Sequence, residues 1–514
     1  MSNRNRIEFG DFQTPPELAQ AVTTFLKDGG LVPEVVVEPT CGLGSFLIAA
    51  IDTFPDAQHF YGFDINPQYA KELAKELREI RGKRCLVECR DFFQVDWGEF
   101  VENLDGNLLV IGNPPWVTNS ALGVLGSNNL PEKSNFQGHV GFAAKTGKAN
   151  FDISEWMLIT LTEALGRRPG CLAMLCKTAT ARKVLRHAWL NRLNVGRCSL
   201  HLIDAQKYFG ASVDACLLVI HTDVEEVTAT ANVYADLSFS SRISTFGLVG
   251  RELVADVEAY TRLRDIDGIA YYPWRSGVKH DAASVMEFTK QGGRLVNGIG
   301  EECVLESTYL FPLLKSSDIA NGRLTPARYV LLTQRKPSDD TSAIEEAAPK
   351  TWMYLSSHAA DLDKRRSIIY EKRPRFSVFG VGDYTFSPWK VAVSGLYKNC
   401  RFQVVGQSSG KPIVVDDTCY FISCQSEAEA RFACELLNSD ICQEFLHSLV
   451  FFDAKRPVTI DVLNRIDLKR VADRLNKGEK AQQFLYAATG IEDKQALLVF
   501  EHQEEYKSQR HREF

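Results

Sequence analysis

The sequence predicts an α/β protein: a doubly wound, Rossmann-like sheet of seven strands over residues 1–240, joined to a mixed α+β domain over 241–514. Short β-branched runs alternate with helical segments, the pattern of successive βα units. Three of these runs end at an acidic residue, and a fourth ends at Asn113-Pro114-Pro115-Trp116. A last pair of apolar runs, Leu200 to Ile203 and Ala215 to Ile220, closes the series. Crossovers between parallel strands are short and right-handed, so this order leaves an open sheet with helices on both faces.

Taken in order, Phe9-Gly10-Asp11-Phe12-Gln13-Thr14-Pro15-Pro16 leads into a helix to about Lys27, with Thr14 as its N-cap and Pro15 in its first turn. The strand Val35 to Val37 runs into Glu38-Pro39-Thr40-Cys41-Gly42-Leu43-Gly44-Ser45-Phe46. Gly42 and Gly44 let the backbone approach a ligand, and the next helix offers unpaired amides. A phosphate-binding dinucleotide loop is the rival reading, but the spacing is not Gly-x-Gly-x-x-Gly, and Pro39 and Cys41 are atypical of it. His59 to Phe63 ends at Asp64, followed by Ile65; a carboxylate there suits two ribose hydroxyls. Cys85 to Cys89 leads to Arg90-Asp91-Phe92-Phe93. Each of these carboxylates alone could be a solvated turn residue. After the fourth strand, Leu108 to Ile111, come a helix to Leu165, a strand over Cys171 to Cys176 and a helix over Ala181 to Leu190.

Two consecutive prolines hold the chain extended after Asn113, so that the Asn113 side chain and the Pro114 carbonyl form a pair of acceptors. Such a pair receives an NH2 group. Trp116 adds a flat face on which a planar base or amide stacks. The plain alternative is a Pro-Pro turn with a core tryptophan.

Asn-Pro-Pro-(Tyr/Phe/Trp) resembles the catalytic motif of amino methyltransferases, which use S-adenosylmethionine to methylate amino groups of DNA bases. The motif order over residues 9–221 is similar to the gamma group of DNA N6-adenine methyltransferases, including the Taq-type and Eco57-type modification enzymes. The resemblance implies a class I methyltransferase domain followed by a target-recognition domain. It places Thr14 of a Gln-Thr-Pro motif and the loop residues Glu38, Pro39, Thr40, Cys41, Gly42, Gly44 and Phe46 around the cofactor, with Glu38 at its methionine end. Asp64 and Ile65 follow at the ribose, and Asp91 and Phe92 at the adenine ring. It gives catalysis to Asn113, Pro114, Pro115 and Trp116, and sets Trp116 and Phe209 against a flipped adenine. The Gly-, Asn- and Ser-rich stretch 117–150, with Lys133, Lys145 and Lys148, reads as a flap over that base. Cytosine N4, a protein glutamine, or a DNA-recognition subunit silent without a partner remain alternatives. The resemblance further implies double-stranded DNA as substrate, a cognate restriction endonuclease or defence-complex subunit as partner, and a monomer on DNA.

Net charge is -6, so any DNA surface is a local patch. Residues 364–401 interleave Lys364, Arg365, Arg366, Lys372, Arg373, Arg375, Lys390, Lys398 and Arg401 with aromatics. Lys and Arg there suit phosphates and base edges. Arg275 and Lys279, and Lys315, fall in Trp274 to Asp281 and Tyr309 to Asp318, which look like target-recognition segments; Lys455 and Arg456 are weaker candidates. A solvated basic face is the competing explanation. The 13 cysteines are scattered without zinc spacing and read as reduced thiols, with no metal expected. Without a signal peptide or a long apolar run, a cytoplasmic location is expected. No nuclease constellation stands out.

Overall fold

The computed structural model describes residues 13–78, 80, 82–116, 153–222, 227–365, 367–371 and 373–485. The residues before Gln13, the 117–150 stretch with its three lysines, Arg366, Lys372 and the charged tail lie outside the described residues. The chain divides into two compact units, Met1–Glu258 and Ala259–Phe514.

The first unit is built on one sheet: β1 Val35–Glu38, β2 His59–Asp64, β3 Arg84–Cys89, β4 Leu108–Gly112, β5 Gly170–Lys177, β6 Cys198–Ile203, β7 Ala215–His221, β8 Thr230–Tyr234, β9 Arg242–Val249 and β10 Glu252–Val254. Its order is β10-β9-β8-β6-β7-β5-β4-β1-β2-β3. β1 pairs in parallel with both β2 and β4, and β4 in parallel with β5; β7 runs antiparallel between β5 and β6. The chain thus winds outward from β1 to β3, then crosses back to β4 on the other side of β1. That reversal opens a crevice above the carboxyl ends of β1 and β4.

The helices are α1 Pro16–Asp28, α2 Ser45–Thr53, α3 Pro67–Leu77, α4 Trp97–Glu102, α5 Ile153–Leu165, α6 Thr178–Leu190 and α7 Ala205–Phe209. β1 and β4 are buried along their whole length, which explains their unbroken apolar runs. β3, at the sheet edge, alternates in exposure. Asn66 caps α3 by accepting from the Gln68 amide at 2.9 Å, with Pro67 at the first helical position.

Two expectations change. Thr14 does not cap α1: Pro15 occupies the cap position, and its carbonyl accepts from Leu18 and Ala19, while Thr14 is buried. The seven strands are present, but β8 to β10 extend the sheet beyond β6, so the first unit continues past residue 240 to Glu258. Phe246 of β9 is buried and packs on Trp189 of α6 at 5.7 Å, tying the extension to the core.

The second unit holds a six-stranded sheet in the order Glu302–Cys303, Arg294–Asn297, Glu287–Gln291, Arg328–Leu331, Leu310–Leu314, Val414–Val415. A four-stranded sheet runs Arg275–Ser276, Cys419–Cys424, Trp389–Ser394, Gln403–Val405. Helices Glu427–Leu437 and Asp440–Leu449 follow, so this unit is mixed α+β.

Candidate active site

The site forms where β1, β2 and β4 end. Gly42 (φ 53°) and Gly44 (φ 81°) adopt the left-handed conformation that a side chain disfavours, turning the chain from β1 into α2. Asp64 fixes the far side of this loop: one carboxylate oxygen accepts from the Gly42 amide and the other from the Asn66 amide, both at 2.7 Å. Gln13 accepts from the Leu43 amide at 3.2 Å, and Ser45 donates to the Thr14 carbonyl at 2.8 Å. The Gln-Thr-Pro segment therefore lies against the glycine loop. The direct contact of Gln13 with the loop was not among the cofactor residues picked from sequence.

Glu38 is buried, with its carboxylate accepting from the Leu47 amide at 3.1 Å. Burial, and the nearby charge of Asp64, hold its pKa well above the usual carboxylate range. The Cys41 thiol is pushed up for the same reasons, so it is an inert buried thiol. Thr40 Oγ1 is buried with no hydrogen-bond partner among the described residues. A buried hydroxyl without a partner marks a place for a polar ligand atom. Ile65 stands 39% exposed beside Asp64, an apolar surface at a ligand-facing strand end.

After β3, Asp91 accepts from the Phe93 amide at 3.0 Å. Phe92 turns inward, 5% exposed, with its ring 4.8 Å from Trp97. Phe93 is the half-buried ring, 5.2 Å from Trp156.

Asn113 is half-buried, and Pro114 and Trp116 are buried. A Cβ on Gly112, the residue before the motif, would sit 3.5 Å from Glu38 Cγ, so the glycine loop and the Asn-Pro-Pro-Trp stretch adjoin. Trp116 donates to the Leu175 carbonyl at 3.4 Å, and Lys177 donates to the Trp116 carbonyl at 3.1 Å. The end of β5 thus anchors the motif, a role for Lys177 that no sequence pattern announced. Trp116 and Phe209, far apart in the chain, meet edge to face at 5.1 Å.

In the second unit the basic residues divide. Lys390 is fully buried and donates to the Ser387 carbonyl at 2.7 Å; burial lowers its pKa to about 7. It cannot reach a phosphate, which corrects its assignment as a DNA contact. Arg365 is likewise corrected: its guanidinium donates to the carbonyls of Leu362, His280 and Ser377 and lies over Tyr370 at 4.0 Å. Lys315 pairs with Glu287 at 2.6 Å, Lys279 with Asp281 at 3.5 Å, and Arg375 with Asp363 at 2.7 Å. Arg275 lies over Tyr384 at 4.8 Å. Arg373 is exposed, 5.7 Å from the Phe379 ring.

Residues 2–237 match the model of the N-6 DNA methylase family. The chain is 43% identical over 471 residues to the Type II methyltransferase M.NspV of Nostoc sp., covering 91% of this chain and 98% of that protein. It is 30% identical over 118 residues to the Type II methyltransferase M.CvrRI of Paramecium bursaria Chlorella virus XZ-6E, covering 23% of this chain and 27% of that one. Among solved structures, the Type IIL restriction-modification enzyme MmeI in complex with DNA shares the fold at TM-score 0.54 and 12% identity, covering 90% of this chain and 69% of that chain. The chain therefore belongs to the N-6 DNA methylase family and is an S-adenosylmethionine-dependent DNA adenine methyltransferase.

Proposed function

We propose that this enzyme methylates adenine N6 at one short sequence in duplex DNA, with Asn113 and Pro114 as the acceptors of the target amino group. The observation that carries this reading is the adjacency of two strand ends at the topological switch point: β1 and β4 pair in parallel and end at Glu38 and Gly112, just before the glycine loop and Asn-Pro-Pro-Trp. The residues fit the methyl donor. Thr40 Oγ1 is a buried hydroxyl without a protein partner among the described residues, Asp64 is held in place by two amides, and Ile65 offers an apolar face. Glu38 meets the methionine end, where a positive charge relieves the electrostatic strain of its burial. Asp91, with Phe92 and Phe93 behind it, borders the adenine end.

When bound, the cofactor supplies an electrophilic methyl group on a sulfonium. Adenine N6 is a poor nucleophile because its lone pair is delocalised into the ring. Asn113 and Pro114 accept hydrogen bonds from its two N–H groups, which favours a pyramidal nitrogen and frees the lone pair; after the methyl group transfers from sulfur, N6 releases one proton to solvent. Pro115 keeps the strand end extended so that both acceptors face one way. Extruding the base from the duplex costs a few kcal/mol. Stacking on the Trp116 and Phe209 rings, at roughly 1–3 kcal/mol per base, offsets much of that.

The second unit selects the sequence, and the whole acts as a monomer on cytoplasmic DNA. Its likeness to a Type II methyltransferase supports a role as the modification partner of a cognate restriction endonuclease. Modification-sensitive sequencing of plasmid DNA from cells expressing the wild type or Asn113→Ala tests the reading. Methylated adenine at one motif, only with the wild type, is expected. Methylated cytosine would overturn the base, and no DNA modification would overturn the proposal that the chain works alone.

A further inference from the structure

Among the described exposed arginines of the second unit, Arg335 lies nearest an aromatic ring. Arg335 is exposed, and among the described residues no carboxylate or carbonyl engages its guanidinium. Instead it lies over the Phe386 ring at 4.5 Å. Phe386 is itself braced by Phe311, whose centroid is 5.1 Å away. Lys411 backs that ring from 4.9 Å and donates to the Leu310 carbonyl at 2.9 Å.

The loop that carries Arg335 is also built to hold still. Gln334 is 3% exposed and donates to the carbonyls of Pro337 and Asp339, at 3.2 and 2.7 Å, while accepting from the Val378 amide at 3.1 Å. The Asp339 carboxylate accepts from the amides of Arg335 and Lys336 at 3.0 and 2.8 Å. A buried glutamine and an aspartate thus fix both ends of a tight turn, and the side chain that leaves it rests over an aromatic ring. A phosphate contact needs only a positive charge within reach. A base edge needs a planar fork held in one orientation.

We propose that Arg335 is a sequence-reading residue whose guanidinium, seated over Phe386, takes the O6 and N7 acceptors of a guanine in the recognition site. This rests on the reading of the chain as a sequence-specific DNA methyltransferase. Arginine against guanine is the commonest bidentate pairing in the major groove. Nothing in the residue spacing around Arg335 announces this role. It lies outside the basic run of 364–401, and only the fold sets it against Phe386.

The test measures methyl transfer to a duplex carrying the wild-type methylation site and to every single base-pair variant of it, for wild type, Arg335→Ala and Arg335→Lys. Lysine keeps the charge and loses the fork, so it separates base reading from phosphate contact. If alanine were to unfold the loop, lysine would still answer the question. Both variants are expected to bind S-adenosylmethionine as wild type does, and to lose discrimination at a single G·C position by about 10- to 100-fold in kcat/KM. Equal loss on every duplex with alanine, restored by lysine, would overturn base reading in favour of a phosphate contact. Unchanged discrimination in both variants would overturn it as well. A wild-type chain that methylates no duplex would bring down the DNA reading and this inference together.

Discussion

The two units use their charged residues differently. In the first, Glu38 and Asp64 each end a parallel strand, Asp91 follows one, and the sheet delivers all three to one rim. In the second, the basic side chains that the sequence singles out meet different fates: some are buried or paired with neighbouring groups, while Arg373, Lys398 and Arg401 stand exposed. Lys390 is buried, Arg365 is held by three carbonyls, and Lys279, Lys315 and Arg375 face carboxylates. A strand end has its position set by topology, whereas a cation in a loop-rich domain goes wherever its nearest carbonyl or carboxylate takes it. A strand-end position therefore predicts where a side chain lies in the first unit, whereas membership of a basic run does not in the second.

The sharpest way to break this contrast is at the strand end. Asn113→Ala is expected to lower methyl transfer by about 100- to 1000-fold, as loss of a preorganised polar contact at the reacting centre does. Cofactor affinity should stay near wild type, because the side-chain contacts to the glycine loop are made by Gln13 and Asp64, with Glu38 braced on the helix that follows. Near-normal turnover would remove Asn113 from the chemistry. Asp64→Ala comes next. It removes both the candidate ribose contact and the brace on the Gly42 and Asn66 amides, so S-adenosylmethionine binding by calorimetry should weaken by about 10- to 100-fold. An unchanged Kd would show that the brace, and not the cofactor, is what Asp64 serves.

Much of the first unit is legible from sequence because period, strand-end chemistry and motif order agree with one another. The seven strands and the glycine turn follow from that agreement. What escapes is what tertiary contact alone decides. Lys177 reads as an ordinary strand-end lysine until it donates to the Trp116 carbonyl. Phe92 and Phe93 are equivalent in sequence, and only packing against Trp97 turns the first inward. β9 and β10 carry weak apolar patterns, with β9 reading exposed at one end and buried mid-strand, so a boundary at 240 cuts through a sheet that continues. In the second unit Lys390 shows the limit most plainly: a lysine between Trp389 and Val391 reads as basic surface, yet it is a core residue of a central strand.

Lys390 also gives the contrast a pH signature. Its folded pKa lies at about 7, below the unfolded lysine value of about 10.4, so between those limits the unfolded chain binds the extra proton. Stability therefore rises with pH from about 7 toward 10 through this group, and protonation erodes it on the acid side. Lys390→Met should flatten that slope in urea melts and raise stability at pH 7 by about 1–3 kcal/mol, with the methylation motif unchanged. A changed motif would return Lys390 to the DNA face.

The smallest effect separates two neighbouring arginines. Arg373 is exposed with no carboxylate partner among the described residues, while Arg375 is paired with Asp363. A free cation that neutralises one phosphate contributes about one to the slope of log affinity against log salt; a cation already paired releases fewer counterions on DNA. Arg373→Ala is accordingly expected to lower that slope by about one and weaken binding by a similar factor on every sequence, whereas Arg375→Ala leaves the slope near wild type. Equal slopes in the two variants, both lowered, would mean that the Asp363 pair opens on DNA, and that a carboxylate partner in the free protein does not disqualify a cation from the DNA face.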